Sequence, residues 1–391
     1  MRKSNCLCFA NRTTLLLLLA AFATGCSWSE DEEESFYEPA DLVSFDEQME
    51  LATKWSRSVG DGQGDKFNRL ELALDDDGIY VAEVDGDVYA FEIERGKEQW
   101  EAELNVTLTG GVGVGESLVV VGTVKGVLIA LDKNTGAKLW TKQLTGEVLA
   151  PPAIADEVVI AQTFDGRLYG LDAANGEQLW VYNSALPRLT LRGTSRPVID
   201  GDTVYAGFAS GKLVALDVET GVLQWEARVS PATGQSEIDR VVDVDSPAFI
   251  LNNTIYAVSY QGRVTAFDLR SGTPKWFQAA SSYNALSEGF SNLYYSHSDG
   301  DVVALDLKSG IERWRQTEFS FRELGAPTAF SSYVAVADFE GYIHLLSQVD
   351  GSVVGREKIG SNGVRAQMLS QSGVLYVYGN SGKLKAYEIE K

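Results

Sequence analysis

Along most of the chain, short apolar segments alternate with polar turns that contain glycine. The stretch Leu118 to Trp140 reads "LVVVGTVKGVLIALDKNTGAKLW": an apolar segment, a turn ending in Gly126, a segment ending in Ala-Leu-Asp, a turn with Gly136, and a segment carrying tryptophan. The apolar segments are rich in β-branched and small residues, which is typical of strands packed between sheets. No stretch beyond the N-terminal region has a convincing helical period. The pattern therefore predicts an all-β protein.

This pattern recurs with a period near forty residues. The first glycine of the unit recurs at Gly86, Gly126, Gly166, Gly211, Gly262, Gly300, Gly341 and Gly382. The second recurs at Gly96, Gly136, Gly176, Gly221, Gly272, Gly310 and Gly351. A unit of this length with about four strands is one blade of a β-propeller. The repeats therefore predict an eight-bladed propeller over residues 49–391.

Tryptophan marks the last strand of the repeat and indicates how the ring closes. It ends the first six repeats, at Trp100, Trp140, Trp180, Trp225, Trp276 and Trp314. The seventh repeat has Gly355 instead, and the eighth stops at "AYEIEK", before its last strand. The segment "LATKW", ending in Trp55, stands alone ahead of the first repeat. We therefore predict that this N-terminal strand completes the eighth blade and leaves no exposed radial edge.

The repeat resembles that of the quinoprotein propellers, the PQQ-like repeat family, across essentially the whole domain. The resemblance implies that Trp55 and the repeat tryptophans pack on neighbouring blades. It also supplies an alternative function, a periplasmic quinone-dependent dehydrogenase or a sugar-binding propeller. The alcohol-oxidising quinoproteins use adjacent cysteines and a calcium-held quinone, and this sequence offers neither.

The N-terminal region has the features of a secretory signal. Basic residues precede the apolar run Leu15 to Phe22, which is too short to span a membrane. Two cleavage sites fit the sequence. Ala-Phe-Ala at 21–23 would release a soluble protein starting at Thr24, whereas Ala-Thr-Gly-Cys at 23–26 resembles a bacterial lipobox with Cys26 lipidated. We favour the lipobox, because Cys26 would otherwise be a stray thiol, although Ala23 stands where leucine is usual.

The lipobox defines the domain organisation. It predicts a signal peptide over 1–25, a palmitate-bearing Cys26 with an acidic tether over 26–48, and the propeller after it. Ser27 resembles the outer-membrane address of Gram-negative lipoproteins. We therefore expect the protein at the periplasmic face of the outer membrane, in contact with the membrane through its lipid anchor only.

Charge and cysteine content exclude several classes of function. The net charge is −22, which repels nucleic acid phosphates and anionic lipid headgroups. The three cysteines, Cys6, Cys8 and Cys26, all lie in the N-terminal region. The propeller sequence therefore has no disulfide, no cysteine-ligated metal and no cysteine nucleophile.

The sequence shows no constellation for catalysis. The histidines, His297 and His344, lie in strand-like segments, where core or surface positions are the ordinary interpretation. An array of aspartates recurs at the strand end before the second turn, where a carboxylate accepts hydrogen bonds from the turn: Asp132, Asp172, Asp217, Asp268 and Asp306. No phosphate loop or metal spacing is present, so we predict a protein that is not an enzyme and holds no cofactor or metal.

Departures from the repeat point to function, because the scaffold does not require them. From each tryptophan to the next recurring proline the chain spans 12 residues at Pro152 and 13 at Pro327, but 17 at Pro197 and 22 at Pro247. The two longest of these connections are consecutive, "NSALPRLTLRGTSRP" and "SPATGQSEIDRVVDVDSP". Leucines among arginines in the first favour a partner-binding patch. The alternative is that the leucines tuck into the ring and the charges of the two connections pair.

The segments "LTLRG" and "TGQSEIDRVVDVD", on an eight-bladed propeller with a lipobox and an acidic tether, resemble the BamB family. These proteins are lipoprotein scaffolds of the outer-membrane β-barrel assembly machinery, the BAM complex, and bind the periplasmic POTRA domains of the barrel subunit BamA. The resemblance implies that Leu189, Leu191 and Arg192 form the docking segment, with Asp243 and Asp245 as the acidic pair beside it. It leaves open whether unfolded outer-membrane proteins also bind, through exposed strand edges.

Overall fold

The strands of the propeller follow the predicted repeat. The computed structural model describes residues 38–64 and 68–390, and in this part of the chain every sheet is a four-stranded antiparallel blade. There are eight such blades, which confirms the predicted all-β, eight-bladed architecture. The signal peptide over 1–25, Cys26 and the first part of the tether lie outside the described residues.

Within each blade the strands follow one another from the inner strand at the axis to the outer strand. Blades one to four comprise β2 (Ala73–Leu74), β3 (Ile79–Ala82), β4 (Asp87–Phe91) and β5 (Glu98–Glu103); β6 (Leu108–Val114), β7 (Leu118–Thr123), β8 (Val127–Asp132) and β9 (Lys138–Gln143); β10 (Ala153–Ala155), β11 (Val158–Thr163), β12 (Arg167–Asp172) and β13 (Gln178–Asn183); β14 (Val198–Asp200), β15 (Thr203–Phe208), β16 (Lys212–Asp217) and β17 (Leu223–Arg228).

Blades five to seven comprise β18 (Phe249–Leu251), β19 (Thr254–Val258), β20 (Gly262–Asp268) and β21 (Pro274–Ala280); β22 (Ser287–Gly289), β23 (Asn292–Ser296), β24 (Val302–Asp306) and β25 (Glu312–Gln316); β26 (Thr328–Phe330), β27 (Tyr333–Ala337), β28 (Tyr342–Ser347) and β29 (Val353–Lys358). Blade eight joins β30 (Leu369–Gln371), β31 (Val374–Tyr378) and β32 (Lys383–Glu390) to β1 (Glu50–Ser58). A single-turn 3₁₀ helix covers Ile238–Arg240.

The N-terminal strand closes the ring, as the orphan "LATKW" predicts. β1 pairs antiparallel with β32, from Glu50 opposite Glu390 to Ser58 opposite Lys383. Its two large apolar side chains, Leu51 and Trp55, are both buried. Blade eight is therefore built from both ends of the chain, and the ring has no unpaired radial edge.

Each tryptophan packs on the next blade around the ring. The indole of Trp140 donates a hydrogen bond from Nε1 to the carbonyl oxygen of Ala173, at 2.8 Å. The same ring covers Gly176, where a Cβ atom would lie 2.7 Å from Trp140 Cε3. This second glycine is thus required both by its positive φ of 74° and by the indole above it. The same pairing joins Trp55 to Gly96, Trp100 to Gly136, Trp180 to Gly221, Trp225 to Gly272, Trp276 to Gly310 and Trp314 to Gly351.

Gly355 stands at the tryptophan position of blade seven because closure removes the partner that a tryptophan would need. Blade eight has no second turn, since its outer strand comes from the other end of the chain. The N-terminal segment passes there instead, and a Cβ atom on Gly355 would lie 2.4 Å from the carbonyl oxygen of Met49. The glycine makes room for the chain that enters β1.

Residues 39–49, here called the strap, run along blade seven, although the sequence assigned them largely to a solvated tether. The amide of Ala40 donates to the carbonyl of Ser320 at 2.9 Å, and the amides of Gln48 and Met49 donate to the carbonyl of Val354 at 2.9 and 3.0 Å. Met49 stands beside Gly355, so the strap crosses from the outer-to-inner connection before blade seven to the start of β29.

Two arginines hold the strap from within a buried polar cluster. Arg322 donates from Nη1 to the carbonyl of Ala40 at 2.9 Å, while its Nε bonds to the carboxylate of Asp338 at 2.9 Å. Arg356 donates from Nη1 to the carbonyl of Val43 at 3.2 Å and from Nε to His344 Nδ1 at 3.1 Å. The buried His344 is consequently a neutral structural residue whose Nε2–H faces Asp338, at 3.1 Å.

The recurring aspartates are turn residues, as the repeat predicts. Asp132 accepts the amide of Thr135 at 2.9 Å, and Asp217 and Asp306 accept the amides of Thr220 and Ser309 at 2.8 Å. Asp172 and Asp268 accept turn amides in the same way. In the described part of the chain, no helix is long and apolar enough to cross a membrane.

Candidate functional site

The two long connections lie on the same face of the propeller. Loop A, residues 184–197, joins β13 to β14, and loop B, residues 229–248, joins β17 to β18. Both run from the outer strand of one blade to the inner strand of the next. Strand direction is the same in every blade, so all such connections emerge together on what we call the loop face.

Loop A presents apolar side chains to solvent. Leu186 and Leu189 are 48% and 43% exposed, which is high for leucine in a fold with a large core. Leu191 is half-buried, and the side chain of Arg192 is 44% exposed. The predicted docking segment is therefore accessible, and its outer leucines do not tuck into the ring.

Two arginines of loop A, Arg192 and Arg196, pair with connections of other blades rather than with loop B. Arg192 Nη2 lies 3.0 Å from Glu147 Oε2, and Arg196 Nη1 lies 3.5 Å from Glu71 Oε2. Arg240 of loop B stays within its own loop, where its Nε donates to the carbonyl of Gly234 at 3.1 Å. These contacts do not support the alternative of ion pairing between the two loops.

Loop B connects to loop A through a buried carboxylate. Asp243 has no exposed surface, and its Oδ2 accepts the backbone amide of Leu191 at 2.7 Å. The sequence grouped Asp243 with the partner-binding residues. In the structure it has no surface to offer a partner, and its contact sets the conformation of the docking segment instead.

Asp245 lies beside the same segment. A Cβ atom on Gly193 would stand 2.6 Å from its Oδ2, so only glycine lets loop A approach this closely. Burial raises the pKa of Asp243 to about 6, although the Leu191 amide opposes the rise. Burial also raises the pKa of Asp245 to about 7, helped by the negative charge of Asp243 and opposed by Arg69. Keeping either carboxylate charged in the folded protein therefore costs free energy.

A cavity of about 330 Å³ opens between these loops. Its walls come from the connections into blades one, three, four, five and six and from β6 of blade two, which places it at the axial mouth of the ring. Leu191, Arg192 and Asp245 line it. The structure thus gathers three of the five predicted residues around one opening, with Leu189 exposed outside it and Asp243 buried beneath.

Sequence reasoning missed the other side of this opening. Asn68 and Arg69 line the cavity, as does Tyr283, over whose ring the Arg69 guanidinium stacks at 4.9 Å. A signal was present. Once "LATKW" is assigned to blade eight, the segment after it becomes another outer-to-inner connection, and it therefore belongs to the loop face.

Among the described residues, no group of three or more His, Cys, Asp or Glu side chains is arranged to hold a metal ion. His297 is a turn residue whose Nδ1 accepts the amide of Asp299 at 3.2 Å. The site is thus a surface of exposed leucine and arginine around a polar opening, which is the chemistry of a binding surface.

Comparisons with known proteins agree with the fold. The family model described as outer membrane protein assembly factor BamB matches residues 84–316 and 298–391. Proteins of that name from Pseudomonas aeruginosa and Escherichia coli are 54% and 33% identical to this chain, over 374 and 376 residues. The alignments cover 96% and 94% of this chain, and 98% and 96% of the relatives.

Solved structures give the same result. The crystal structure of BamB from Moraxella catarrhalis matches with a TM-score of 0.80 at 30% identity, over 86% of this chain and 99% of that one. A quinohemoprotein alcohol dehydrogenase from Comamonas testosteroni matches with a TM-score of 0.70 at 15% identity, over 86% of this chain and 76% of that one, and shares the fold alone.

Fold and site together define a closed eight-bladed propeller with exposed leucine and arginine side chains on its loop face. The chain belongs to the BamB family.

Proposed function

We propose that this protein is a non-enzymatic scaffold for the assembly of outer-membrane proteins, and that its loop face binds the POTRA domains of a BamA-type barrel subunit. Its relatives are named outer membrane protein assembly factors, which supports the role. A lipid at Cys26 would hold the scaffold at the periplasmic face of the outer membrane. In this arrangement the propeller contributes a rigid surface, and the barrel subunit carries out insertion.

The observation that carries this proposal is the exposure of Leu189 beside Arg192. Exposed leucine flanked by arginine is a composition suited to the centre of a protein interface, where apolar area and a planar cation supply most of the binding energy. The segment is also fixed before binding, because Asp243 holds the Leu191 amide. A preorganised segment loses less conformational entropy when a partner docks.

The experiment compares charge substitutions at equally exposed leucines. Leu189→Glu places a carboxylate at the centre of the proposed interface, and Arg192→Glu reverses its cation. Loss of an interface anchor costs about 2 kcal/mol or more, so we expect the dissociation constant for purified POTRA domains to rise at least thirtyfold. Titration calorimetry measures the affinity, and thermal unfolding checks that each variant stays folded.

Leu139→Glu is the matched control, since Leu139 is 51% exposed but lies on the outer strand β9. It should bind like the wild type, as should Lys308→Glu on blade six. If both loop variants bind normally and Leu139→Glu does not, the loop face is not the docking surface. The outer edge of the blades would then be the docking surface.

A further inference from the structure

The axial cavity contains polar groups that the described residues leave without partners. The side chain of Asn68 is only 2% exposed, yet neither its Oδ1 nor its Nδ2 has a hydrogen-bond partner among the described residues. The hydroxyls of Thr194 and Ser246, also in the cavity wall, are unpartnered in the same sense. A buried polar group without a hydrogen-bond partner destabilises the folded state. Binding of a ligand that satisfies these groups would recover that free energy.

The chemistry of these groups indicates the class of ligand. A carboxamide offers a donor and an acceptor side by side, which matches the N–H and C=O of a peptide group. Around Asn68 the wall is apolar at Leu149, Pro151 and Leu191. Arg69 is fixed in place, with its Nη1 donating to the carbonyl of Tyr283 at 2.9 Å. The cavity thus combines backbone-binding groups with apolar surface for small side chains.

Size and position narrow the choice further. A volume of about 330 Å³ is near the lower end of ligand pockets and accommodates two or three residues of a chain. Leu191 and Arg192 line the cavity and also belong to the proposed docking segment, so a protein bound on the loop face covers the opening.

We propose that this cavity receives a short loop of the partner that docks on the loop face, with Asn68 hydrogen-bonding to the backbone of the inserted loop. The inference rests on the proposed function and adds to it a second recognition element at the ring axis. It assigns Asn68, Thr194 and Ser246 to recognition, whereas the exposed leucines supply the surrounding contact area.

The test separates recognition from stability. Asn68→Leu keeps the size of the side chain but removes both hydrogen-bonding groups. We expect the dissociation constant for purified POTRA domains to rise about tenfold, while the midpoint of thermal unfolding stays the same or rises. A structural role predicts the reverse, a lower unfolding midpoint with unchanged affinity. Asn134→Leu, in an exposed turn, is the control and should leave the affinity unchanged.

A second variant keeps the test independent of Asn68. Ala285→Phe fills the cavity from the wall opposite loop A and should weaken binding to the same degree or more. Suppose that Leu189→Glu loses binding while Asn68→Leu and Ala285→Phe bind normally. The proposal that the loop face binds the partner is then retained, and the proposal that a partner loop enters the cavity is wrong. Native mass spectrometry gives a second way to contradict the inserted loop. The proposal is wrong if the wild type carries one bound small molecule that Asn68→Leu lacks, while both proteins bind POTRA domains with the same affinity.

Discussion

At the scale of single residues, the loop face depends on carboxylates that the fold holds against their ordinary ionisation. Asp243 anchors the Leu191 amide, and Asp245 lies next to it at the cavity wall. Both have pKa values raised by burial, to about 6 and about 7. The arrangement positions the docking segment, and it lowers the stability of the fold when the carboxylates are charged.

This makes the stability of the protein depend on pH in a direction that can be tested. An aspartate in the unfolded chain has a pKa of about 3.9, so between pH 4 and pH 7 the folded state binds protons that the unfolded state has released. Stability therefore falls as pH rises through this range. One pKa unit corresponds to about 1.4 kcal/mol. We expect Asp245→Asn to gain up to about 4 kcal/mol on the wild type between pH 4 and pH 8, measured by urea unfolding.

The control for this substitution is Asp132→Asn. Hydrogen bonds from Thr135 lower the pKa of the Asp132 carboxylate, so its titration lies below the range tested. The difference between this variant and the wild type should stay flat from pH 5 to pH 8. If the difference between Asp245→Asn and the wild type is equally flat, burial does not raise the pKa of the Asp245 carboxylate in the folded wild type, and the prediction is wrong.

At the scale of elements, β1 and the strap have separate roles although they adjoin in sequence. β1 completes a blade and buries Leu51 and Trp55. The strap lies on the outside of blade seven, where its residues are mostly exposed and a few hydrogen bonds hold it. Closure of the ring therefore depends on the first element and not on the second.

A truncation series tests this division, with chains that begin at residue 39, 50 or 59. Starting at residue 50 removes only the strap, and we expect a small decrease in the midpoint of thermal unfolding. Starting at residue 59 removes β1, and loss of a buried tryptophan alone costs about 3–5 kcal/mol. We expect this chain to unfold at least 15 °C lower, or to aggregate. Calorimetry that shows equal midpoints for the chains starting at 50 and 59 would contradict closure by β1.

The glycine and tryptophan positions predicted the fold from sequence because the same local contact, an indole packed on a turn glycine of the next blade, recurs around the ring. The meaning of Gly355 could not be predicted, since it follows from the absence of a turn in blade eight. Length singled out the two long connections, and the family resemblance supplied the predicted docking segment within the first. The contact of Asp243 with the Leu191 amide could not be predicted, because tertiary packing sets loop conformation. Asn68 was missed because it precedes the first glycine of the repeat.

At the scale of the whole molecule, the same ring occurs in proteins of different function. Quinohemoprotein alcohol dehydrogenase shares the fold at 15% identity, so the architecture alone does not distinguish scaffold from enzyme. The wall of the axial opening carries three arginines, Arg69, Arg192 and Arg196, beside the carboxylates of Glu71 and Asp245. In the part of the chain that the structure describes, no group of three or more His, Cys, Asp or Glu side chains is arranged to hold a metal ion.

We therefore expect no stoichiometric binding of pyrroloquinoline quinone, with or without calcium, when the purified protein is titrated and followed by calorimetry and visible absorbance. The arginines in the wall of the opening, Arg69, Arg192 and Arg196, already contact protein groups, namely the Tyr283 carbonyl, Glu147 and Glu71, and so they are engaged before any quinone carboxylate could bind. Glu71→Gln serves as the comparison, since it removes the ion-pair partner of Arg196. One-to-one binding by the wild type, followed by turnover of an alcohol, would contradict the proposed scaffold function and indicate a dehydrogenase.

The strap has a mechanical consequence. Any pulling force transmitted by the preceding chain enters the described structure at Pro39, on the loop face, and runs down the strap before it reaches β1 at the opposite face. Pulled from the loop face, the strap loads its hydrogen bonds at Ala40, Val43 and Gln48 before the force reaches β1. Without the strap the same pull would act directly on Glu50 and separate β1 from β32 one residue pair at a time. The strap thus shields the pairing of β1 with β32 from force applied at its N-terminal end.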